Sequence, residues 1–482
     1  MIVRFAVVCA VVGMALTGAA ETPLLRFGIA SDVHILKDWS DPFTSGLTNQ
    51  AIHLEKALRW FDAEGAEAVL FPGDMAHGGR VSELETFVAV WDKVFPGGKG
   101  SDGRKVERLV VTGNHEIGQW DSLWNGISDE ELRKVRVDYD LPHLKANWQR
   151  IFGEPFELVW KREVKGISFI GVQYSSLKPD IDAFFRAHAA ELDPKKPFFV
   201  FQHRPPAFTC HASAFGPEEL ALTRILSAYP NAVAIGGHTH YTPTDDRNVW
   251  QGAFTAIDAG CSCSAEPSYP GLKLENGGAP WAWEYKKQRM RCLDQCGNEG
   301  RACLMAELYS DRLVIQRKSL EFDEPMGPDW TIPLPAAPGG PFDYDVCART
   351  KPAPEFPDGA KVSVVLGTGD APNVGPGLRG KPCVKVTFPH AEAVEGMRVM
   401  GYELQVFGGG REVFSAKAVS YGFCLPESRS RVPGEFYLSP DDLPKGVALQ
   451  FAVRPFNFYQ RLGAAIISEL VTMDYRCGNE IH

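Results

Sequence analysis

The sequence predicts an α/β domain followed by a smaller all-β sandwich. From residue 24 to about residue 260, short apolar runs alternate with helical patterns. A Pro- and Gly-rich stretch interrupts this pattern at residues 333–359. Beyond it, apolar and polar residues alternate with the period of two that is typical of strands. The length of 482 residues also exceeds what one hydrophobic core usually organises, which agrees with two domains.

The first twenty residues have the pattern of a secretory signal peptide. A basic start at Arg4 precedes an apolar run at residues 5–16, and the small residues GAA (18–20) follow. The run is shorter than the roughly twenty residues of a membrane span. We therefore expect residues 1–20 to be a signal peptide, the protein to be secreted or periplasmic, and no transmembrane segment; an uncleaved anchor is the alternative.

Export to an oxidising compartment predicts disulfides. One of the eleven cysteines lies within the signal peptide. Of the others, six precede residue 310 and four follow residue 340, so each half holds an even number. We expect disulfides closed within each half. A structural zinc site at Cys303 and the cysteines of CSC (261–263) and CLDQC (292–296) is the alternative.

Six apolar runs of strand length are expected to form the sheet of the first domain. They are LLRFGIA (24–30), AEAVLF (66–71), RLVVT (108–112), ISFIGV (167–172), PFFVFQ (197–202) and AVAI (232–235). Apolar residues at helical spacing predict helices at AIHLEKALRWFDAEG (51–65) and PEELALTRILSAYP (217–230). This alternation is typical of a sheet covered by helices.

The remainder of the chain is expected to hold a hairpin and then a sandwich. ACLMAELYSDRLVIQRKSLEF (302–322) predicts the hairpin. CVKVTF (383–388), YELQV (402–406) and VALQFAVRP (447–455) alternate apolar and polar residues. Such short alternating strands are typical of a β-sandwich. The stretch FAVRPFNFYQRLG (451–463) resembles the late strand and turn of a fibronectin type III-like domain.

Polar side chains follow five of the predicted strands, at the point where each strand ends. They are Asp32 and His34 in SDVH, Asp74 in PGDMAHGG, Asn114, His115 and Glu116 in TGNHE, His203 in QHRPP, and His238 and His240 in GGHTH. The carboxyl ends of strands in an α/β sheet form the ligand crevice, so we expect these residues to converge. On extended backbone, residues i and i+2 project to the same side, which would aim both members of D-x-H and H-x-H at one place. The glycines before Asp74, Asn114 and His238 are expected to permit tight turns.

These side chains offer the donors that divalent metal ions prefer. Two carboxylates, one amide and four imidazoles, without a thiolate, suffice for two four-ligand sites that share one carboxylate. Mn, Fe and Zn accept such donors alike, so the sequence predicts two divalent metal ions without deciding their identity.

The order D-x-H, G-D, G-N-H-[DE], H and G-H-x-H resembles the signature of the calcineurin-like metallophosphoesterase superfamily. All five blocks occur here in that order, over roughly residues 24–325. The resemblance implies a metallophosphoesterase α/β sandwich and a metal-dependent phosphoric ester hydrolase. It also implies that phosphodiesters or phosphomonoesters are hydrolysed by a hydroxide that bridges two metal ions.

The resemblance further implies how the metal ligands divide between the two ions. Asp74 is expected to bridge both ions. The first ion would also be bound by Asp32, His34 and His240. The second would also be bound by Asn114, His203 and His238.

Four further residues receive roles outside the ligand set. By the resemblance, His115 is expected to face the scissile phosphate, and Glu116 to hydrogen-bond His115 and keep it cationic. Arg204 and His77 adjoin the motif blocks and are candidates for substrate binding. A salt bridge for Arg204 and a polar turn for His77 are the alternatives.

The expected organisation is a signal peptide at residues 1–20, a calcineurin-like metallophosphoesterase domain at 21–335, a Pro/Gly-rich linker at 336–356, and a fibronectin type III-like β-sandwich at 357–482.

Charge and composition narrow the range of partners. The formal net charge of -10 and the lack of Lys- or Arg-rich tracts argue against a nucleic-acid-binding surface. We expect a phosphate-ester small molecule or a lipid or glycan head group, and we favour a diester because no basic pocket for a dianionic monoester is evident. A non-catalytic or secondarily catalytic cell-surface or glycan-binding protein, acting through the C-terminal sandwich, is the alternative.

Overall fold

A computed structural model describes residues 21–36, 50–117, 128–211, 216–263, 300–369, 378–420 and 422–472. The expected signal peptide lies outside these ranges, as do Cys292, Cys296 and Cys477. No helix within the described ranges has both the length and the apolar character of a membrane span.

The elements of the first region follow one another in an α/β order. They are β1 (Leu25–Ile29), α1 (Gln50–Ala63), β2 (Ala68–Pro72), α2 (Val81–Val94), β3 (Glu107–Val111), α3 (Asp129–Val135), α4 (Leu141–Phe152), β4 (Val159–Val164), β5 (Ile167–Val172), α5 (Lys178–His188), β6 (Phe198–Phe201), α6 (Pro217–Leu226), β7 (Ala232–Gly236), β8 (Val249–Gln251), β9 (Thr255–Asp258), β10 (Ala302–Leu308), β11 (Arg312–Ser319) and β12 (Trp330–Pro333).

Within the described residues, these strands form two six-stranded sheets. The first has the order β12-β11-β10-β1-β2-β3 and the second β4-β5-β6-β7-β9-β8. The neighbours β1, β2 and β3 are parallel, as are β5, β6, β7 and β9. The predicted α/β class is confirmed, but the strands expected to share one sheet are divided between two.

The two sheets pack face to face because their strands alternate between an inner and an outer set of apolar side chains. Phe27 and Ile29 of β1 lie in the core between the sheets, where they meet Phe199 and Phe201 of β6. Residues of the opposite parity point outward. On the first sheet these outer residues contact α1, α2 and α4, and on the second they contact α5 and α6. The result is a four-layered α/β/β/α sandwich.

The second region is built from antiparallel strands. Its elements are α7 (Tyr344–Thr350), β13 (Ser363–Thr368), β14 (Pro382–Phe388), β15 (Gly401–Gly408), β16 (Arg411–Val419), β17 (Gly434–Leu438), β18 (Ala448–Phe456), β19 (Ile466–Ile467) and β20 (Val471–Thr472). One sheet has the order β13-β14-β17 and the other β16-β15-β18-β19, with β20 also paired to β18. Alternate side chains of both sheets share one core. The expected second, all-β region is therefore confirmed, whereas its fibronectin type III-like character and the domain boundaries stay predictions.

The segment expected to be a linker is partly folded. It contains α7, whose Tyr344 and Cys347 are 9% and 1% exposed. The Tyr344 hydroxyl donates a hydrogen bond to the Arg247 carbonyl oxygen. Residues 344–350 therefore pack between the two regions. The Pro and Gly content of the segment does not predict this helix.

The loop after β7 contacts the second region. Thr244 Oγ1 donates to the Phe423 carbonyl oxygen at 2.6 Å. The Arg247 guanidinium lies 5.7 Å from the centre of the Phe458 ring. Arg247 also forms an ion pair of 2.6 Å with Asp245, and both residues are fully buried.

The expectation of disulfides is wrong at four of the cysteines. Cys210, Cys303, Cys347 and Cys424 are buried and carry free thiols. The Cys210 thiol donates to the Asn248 carbonyl oxygen and the Cys347 thiol to that of Pro341. These thiols point at backbone acceptors and not at other sulfur atoms, so the expected disulfides are absent there.

We predict that Arg247→Met lowers the free energy of unfolding by about 3–5 kcal/mol, because it leaves a buried carboxylate without its cation. Urea unfolding of the full chain measures the effect. The control is Arg429→Met, which removes an exposed ion pair with Glu324 across the same interface and should change stability far less. Equal losses in the two variants would contradict this account of the interface.

Candidate metal centre

The residues expected to converge lie together at one end of the two sheets. Their loops follow the carboxyl ends of β1, β2 and β3 in the first sheet, and of β6 and β7 in the second. The loops after β1 and β2 stay paired, since His34 N donates to the Asp74 carbonyl oxygen at 2.9 Å. The two sheets are joined where His238 N donates to the Asp32 carboxylate at 3.0 Å.

Asp32, His34 and His240 form the first cluster of donor atoms. His34 Nε2 and His240 Nε2 are 3.1 Å apart. The Asp32 Oδ1 atom lies 3.2 Å from His240 Nε2 and 3.9 Å from His34 Nε2. Asp32 and His34 are buried, and the His240 side chain is 18% exposed.

Asn114, His203 and His238 form the second cluster. Asn114 Oδ1 lies 2.9 Å from His203 Nε2 and 3.0 Å from His238 Nδ1, and these two nitrogens are 3.1 Å apart. His203 Nδ1 donates to the Pro72 carbonyl oxygen at 3.0 Å. That hydrogen bond fixes the ring so that Nε2 faces the cluster.

Asp74 lies between the two clusters. Its Oδ2 atom is 3.1 Å from His203 Nε2 and 3.8 Å from His34 Nε2. Its Oδ1 atom accepts the backbone N–H of His115 at 2.8 Å. One carboxylate oxygen is thus held by the protein backbone while the other faces both sets of imidazoles.

Most separations within each cluster fit ligands that share an ion, whereas the 3.9 Å from Asp32 Oδ1 to His34 Nε2 is longer. Two donors each about 2.1 Å from one metal ion are separated by about 3.0–3.4 Å at the usual coordination angles. Asp32, His34 and His240 lie close enough to hold one ion, as do Asp74, His203 and His238. Two of these contacts, His34 Nε2 to His240 Nε2 and His203 Nε2 to His238 Nδ1, join imidazole nitrogens 3.1 Å apart, a separation that a shared cation would account for.

The electrostatics of the buried groups also favour a cation. Burial and the charge of His115 lower the pKa of His34 well below its ordinary value, and burial and the charge of His203 lower that of His238 to about 3. Burial raises the pKa of both carboxyl groups, but the neighbouring imidazoles together lower it by more, chiefly His203 at Asp74 and His240 at Asp32, so both pKa values are lowered. The groups are therefore in the neutral and anionic forms that bind metals.

His203 carries the compensating proton in the absence of metal. Although burial lowers the pKa of His203, the Asp74 carboxylate outweighs this and raises it to about 9. The proton lies on the nitrogen that a cation would otherwise occupy, because Nδ1 already donates to Pro72.

The backbone adopts left-handed conformations through much of the centre. The φ angles are positive at five residues: Asp32 (52°), His34 (50°), Asp74 (52°), His238 (72°) and His240 (55°). Such angles are uncommon outside glycine. The expected cause, an extended backbone, is thus wrong, although Asp32 and His34 of D-x-H do reach one cluster. Each pair is instead turned by its backbone, and His238 and His240 face different clusters.

The glycines beside the centre permit close approach. A Cβ atom on Gly237 would overlap the side chains of Ser31 and Asp32, and one on Gly113 would overlap Asp74. Gly73 does require a left-handed φ, at +99°. The expectation that glycine permits a tight turn therefore holds for Gly73, before Asp74. Before Asn114 and His238, glycine is required because a Cβ atom would not fit.

Residues 25–242 match the model of the calcineurin-like phosphoesterase family. The chain carries a calcineurin-like phosphoesterase domain. The match runs from β1 to the residue that follows Tyr241, so it includes every member of both clusters. The domain supports a metal-dependent phosphoester hydrolase.

Solved structures with a similar fold include three at low identity. A dimetal phosphatase from Danio rerio is 13% identical, with 64% of this chain and 99% of that chain covered and a TM-score of 0.35. Purple acid phosphatase PPD1 from yellow lupin (Lupinus luteus) seeds is 13% identical, with 65% and 54% covered and a TM-score of 0.43. GAP50 of Plasmodium, the anchor in the inner membrane complex, is 13% identical, with 65% and 90% covered and a TM-score of 0.38. No curated protein sequence matches the chain.

Glu116 has a different role from the one expected. Its carboxylate accepts three backbone N–H groups of the calcineurin-like domain, from Gly113 at 2.7 Å, Asp74 at 3.0 Å and Ala76 at 2.7 Å. Burial and the charge of Asp74 raise its pKa to about 8, whereas the N–H donors act in the opposite direction. Glu116 thus ties the loop after β2 to the loop after β3, in place of the expected hydrogen bond to His115.

His115 is oriented by a backbone group. Its Nδ1 atom lies 2.5 Å from the His77 carbonyl oxygen, and its Nε2 atom is 3.8 Å from Asp74 Oδ2. The His77 ring lies beside it, with ring centres 5.2 Å apart. His34, His77 and His115 themselves form a third group of nearby nitrogens. His77 and His115, which were expected to act on the substrate, therefore both lie at the centre.

Arg204 lies at the edge of the second cluster. Its guanidinium stacks 5.0 Å from the centre of the Tyr174 ring and is 3.7 Å from Glu219. The Nε atom is buried and has no hydrogen-bond partner among the described residues. The alternative expectation, a salt bridge for Arg204, is therefore present, but its 3.7 Å separation from Glu219 is long for an ion pair.

The sequence reasoning missed one acidic residue near the centre. Asp258 ends β9, which was not predicted, and it is fully buried. Burial raises its pKa to about 7, although its hydrogen bonds with Thr239 and Gly260 act against this. The sequence feature that could have indicated Asp258 is its position between the short run TAI (255–257) and the Ala-Gly that follows.

We predict that Glu116→Gln lowers the free energy of unfolding of metal-free protein by about 1–3 kcal/mol, because the new amide sets an N–H donor against backbone N–H groups. Urea unfolding in the presence of a chelator measures this. Glu85→Gln changes an exposed carboxylate on α2 and is the control that should match the parent. Unchanged stability of the metal-free variant would contradict the account in which Glu116 ties these two loops together.

Proposed function

We propose that the chain hydrolyses phosphate esters at this centre with two divalent metal ions, Mn, Fe or Zn, that share Asp74. The observation that carries the proposal is the place of Asp74 Oδ2, which faces imidazoles of both clusters at 3.1 and 3.8 Å. The family of the domain supports the reaction class.

The proposed ligands follow the two clusters. Asp32, His34 and His240 would hold one ion, and Asn114, His203 and His238 the other. Bound there, the ions would supply a hydroxide nucleophile and neutralise the charge of the phosphoryl oxygens. The hydrogen bond from His203 Nδ1 to Pro72 keeps that ring in the tautomer a ligand requires.

His115 is proposed to act on the leaving group. The Nδ1 atom of His115 donates a hydrogen bond to the His77 carbonyl oxygen, so Nε2 is the ring nitrogen available to the substrate. That atom is near Asp74 Oδ2, which places it beside the centre. An imidazolium Nε2–H at this point would stabilise or protonate the leaving oxygen.

The substrate is proposed to be a phosphodiester, with a small molecule or a lipid or glycan head group attached. Arg204 follows the cluster member His203 directly in the chain, and its Nε has no hydrogen-bond partner among the described residues. Glu219 lies 3.7 Å from it and offsets its charge. A site with one partly neutralised arginine suits a monoanionic diester better than a dianionic monoester.

The protein is also proposed to be secreted or periplasmic, on the pattern of residues 1–20. The C-terminal sandwich is proposed to support the loop that follows His240, since Thr244 and Arg247 of that loop contact it. This contact does not favour the alternative of a glycan-binding protein.

We predict chelator-sensitive hydrolysis of bis-p-nitrophenyl phosphate that returns with Mn, Zn or Fe and exceeds that of p-nitrophenyl phosphate. His240→Ala and Asp74→Asn should each lower kcat on the order of 100-fold or more, because charge stabilisation at phosphorus is lost. His188→Ala, at a half-buried histidine on α5 paired with Glu191, is the control. Two bound ions without turnover of either ester would point to a binding role, and no bound metal would refute the proposal.

We predict that Arg204→Met raises the KM for the diester about tenfold or more while the metal content stays at the parent value, because one charge-assisted hydrogen bond is lost. Arg204→Lys should recover part of the loss. Arg224→Met, at an exposed arginine paired with Asp182, is the matched control. An unchanged KM would leave Arg204 with the salt bridge alone.

A further inference from the structure

A residue outside the candidate centre holds the turn that carries His238 and His240. Between them, Thr239 Oγ1 donates to Asp258 Oδ2 at 2.5 Å. Thr239 Oγ1 also accepts a hydrogen bond from the backbone N–H of Tyr241 at 3.0 Å. The Thr239 hydroxyl therefore links the turn to Asp258 on one side and to the backbone two residues further on, at Tyr241, on the other.

Asp258 is itself fixed in place. The strand β9 lies beside β7, and Asp258 is opposite Gly236 in their parallel pairing. The second carboxylate oxygen, Oδ1, accepts the Gly260 N–H at 3.0 Å. Because each oxygen has a donor and the side chain is fully buried, the carboxylate offers Thr239 a rigid acceptor.

The turn needs such a restraint. Left-handed φ at His238 and His240 is unfavourable for a residue that has a Cβ atom. The two rings serve different clusters, since His238 Nδ1 meets Asn114 and His240 Nε2 meets Asp32. A relaxation of the backbone at Thr239 would turn both rings away from these positions together.

We propose that Asp258 is a positioning residue which, through Thr239, fixes the turn so that His238 and His240 reach both metal ions. The inference rests on the proposed function, because it concerns the affinity of that centre for metal. Partners that orient ligands from outside the coordination sphere typically contribute 10–100-fold to metal affinity.

The test compares Thr239→Val with Thr239→Ser in full-length protein freed of metal by a chelator. Valine keeps the shape of threonine without the hydroxyl, and serine keeps the hydroxyl. Calorimetric titration with Zn²⁺, repeated with Mn²⁺, should show affinity about 10–100-fold weaker in Thr239→Val and near that of the parent in Thr239→Ser.

Two further variants separate positioning from general stability. Asp258→Ala should weaken metal binding as Thr239→Val does, and the double variant should add little, because both variants remove the hydrogen bond between Thr239 and Asp258. The control Thr255→Val removes another buried hydroxyl of β9, which accepts from Gln251, and should leave metal affinity unchanged.

The outcomes separate this inference from the proposed function. Parent-like Zn²⁺ and Mn²⁺ affinity in Thr239→Val would overturn the inference while the two-ion centre stands. Equal losses in Thr239→Val and Thr239→Ser would also overturn it, since the hydroxyl would then be irrelevant. A parent protein that binds neither ion would instead refute the proposed function.

Discussion

The structure of the centre depends on holding the backbone left-handed at five of its residues, Asp32, His34, Asp74, His238 and His240. That conformation is unfavourable for residues with a Cβ atom. It is also what turns the donor atoms of separate loops toward common points between the two sheets. The remaining features of the site are best understood as the means by which the fold keeps these turns in place.

The restraints come from distant parts of the chain. Glu116 ties the loops after β2 and β3 through three backbone N–H groups, and Asp258 ties the turn after β7 to β9 through Thr239. Gly113 and Gly237 allow the loops to approach without overlap. Because these restraints lie on both sheets, the centre forms only when the two sheets are packed together. The C-terminal sandwich continues this arrangement, since it contacts the loop directly after the His238–His240 turn.

Much of this could be predicted from the sequence because it is local. The strand patterns are short and apolar, and the donor residues follow them directly, so the α/β class and the set of clustered residues were accessible. The roles that depend on long-range pairing were not. Glu116 meets Asp74 across 42 positions, and nothing near Glu116 indicates that contact. Asp258 was missed because β9 has four residues, all buried, and so lacks an alternating pattern. The helix α7 was hidden by the Pro and Gly residues around it.

The central claim is that two metal ions lie side by side and share Asp74. Anomalous X-ray diffraction from crystals of the parent protein grown with Mn²⁺ tests it most directly. The account predicts two peaks about 3.5–4 Å apart, one beside Asp32, His34 and His240 and the other beside Asn114, His203 and His238, with Asp74 between them. A single peak, or a peak enclosed by His34, His77 and His115, would contradict it.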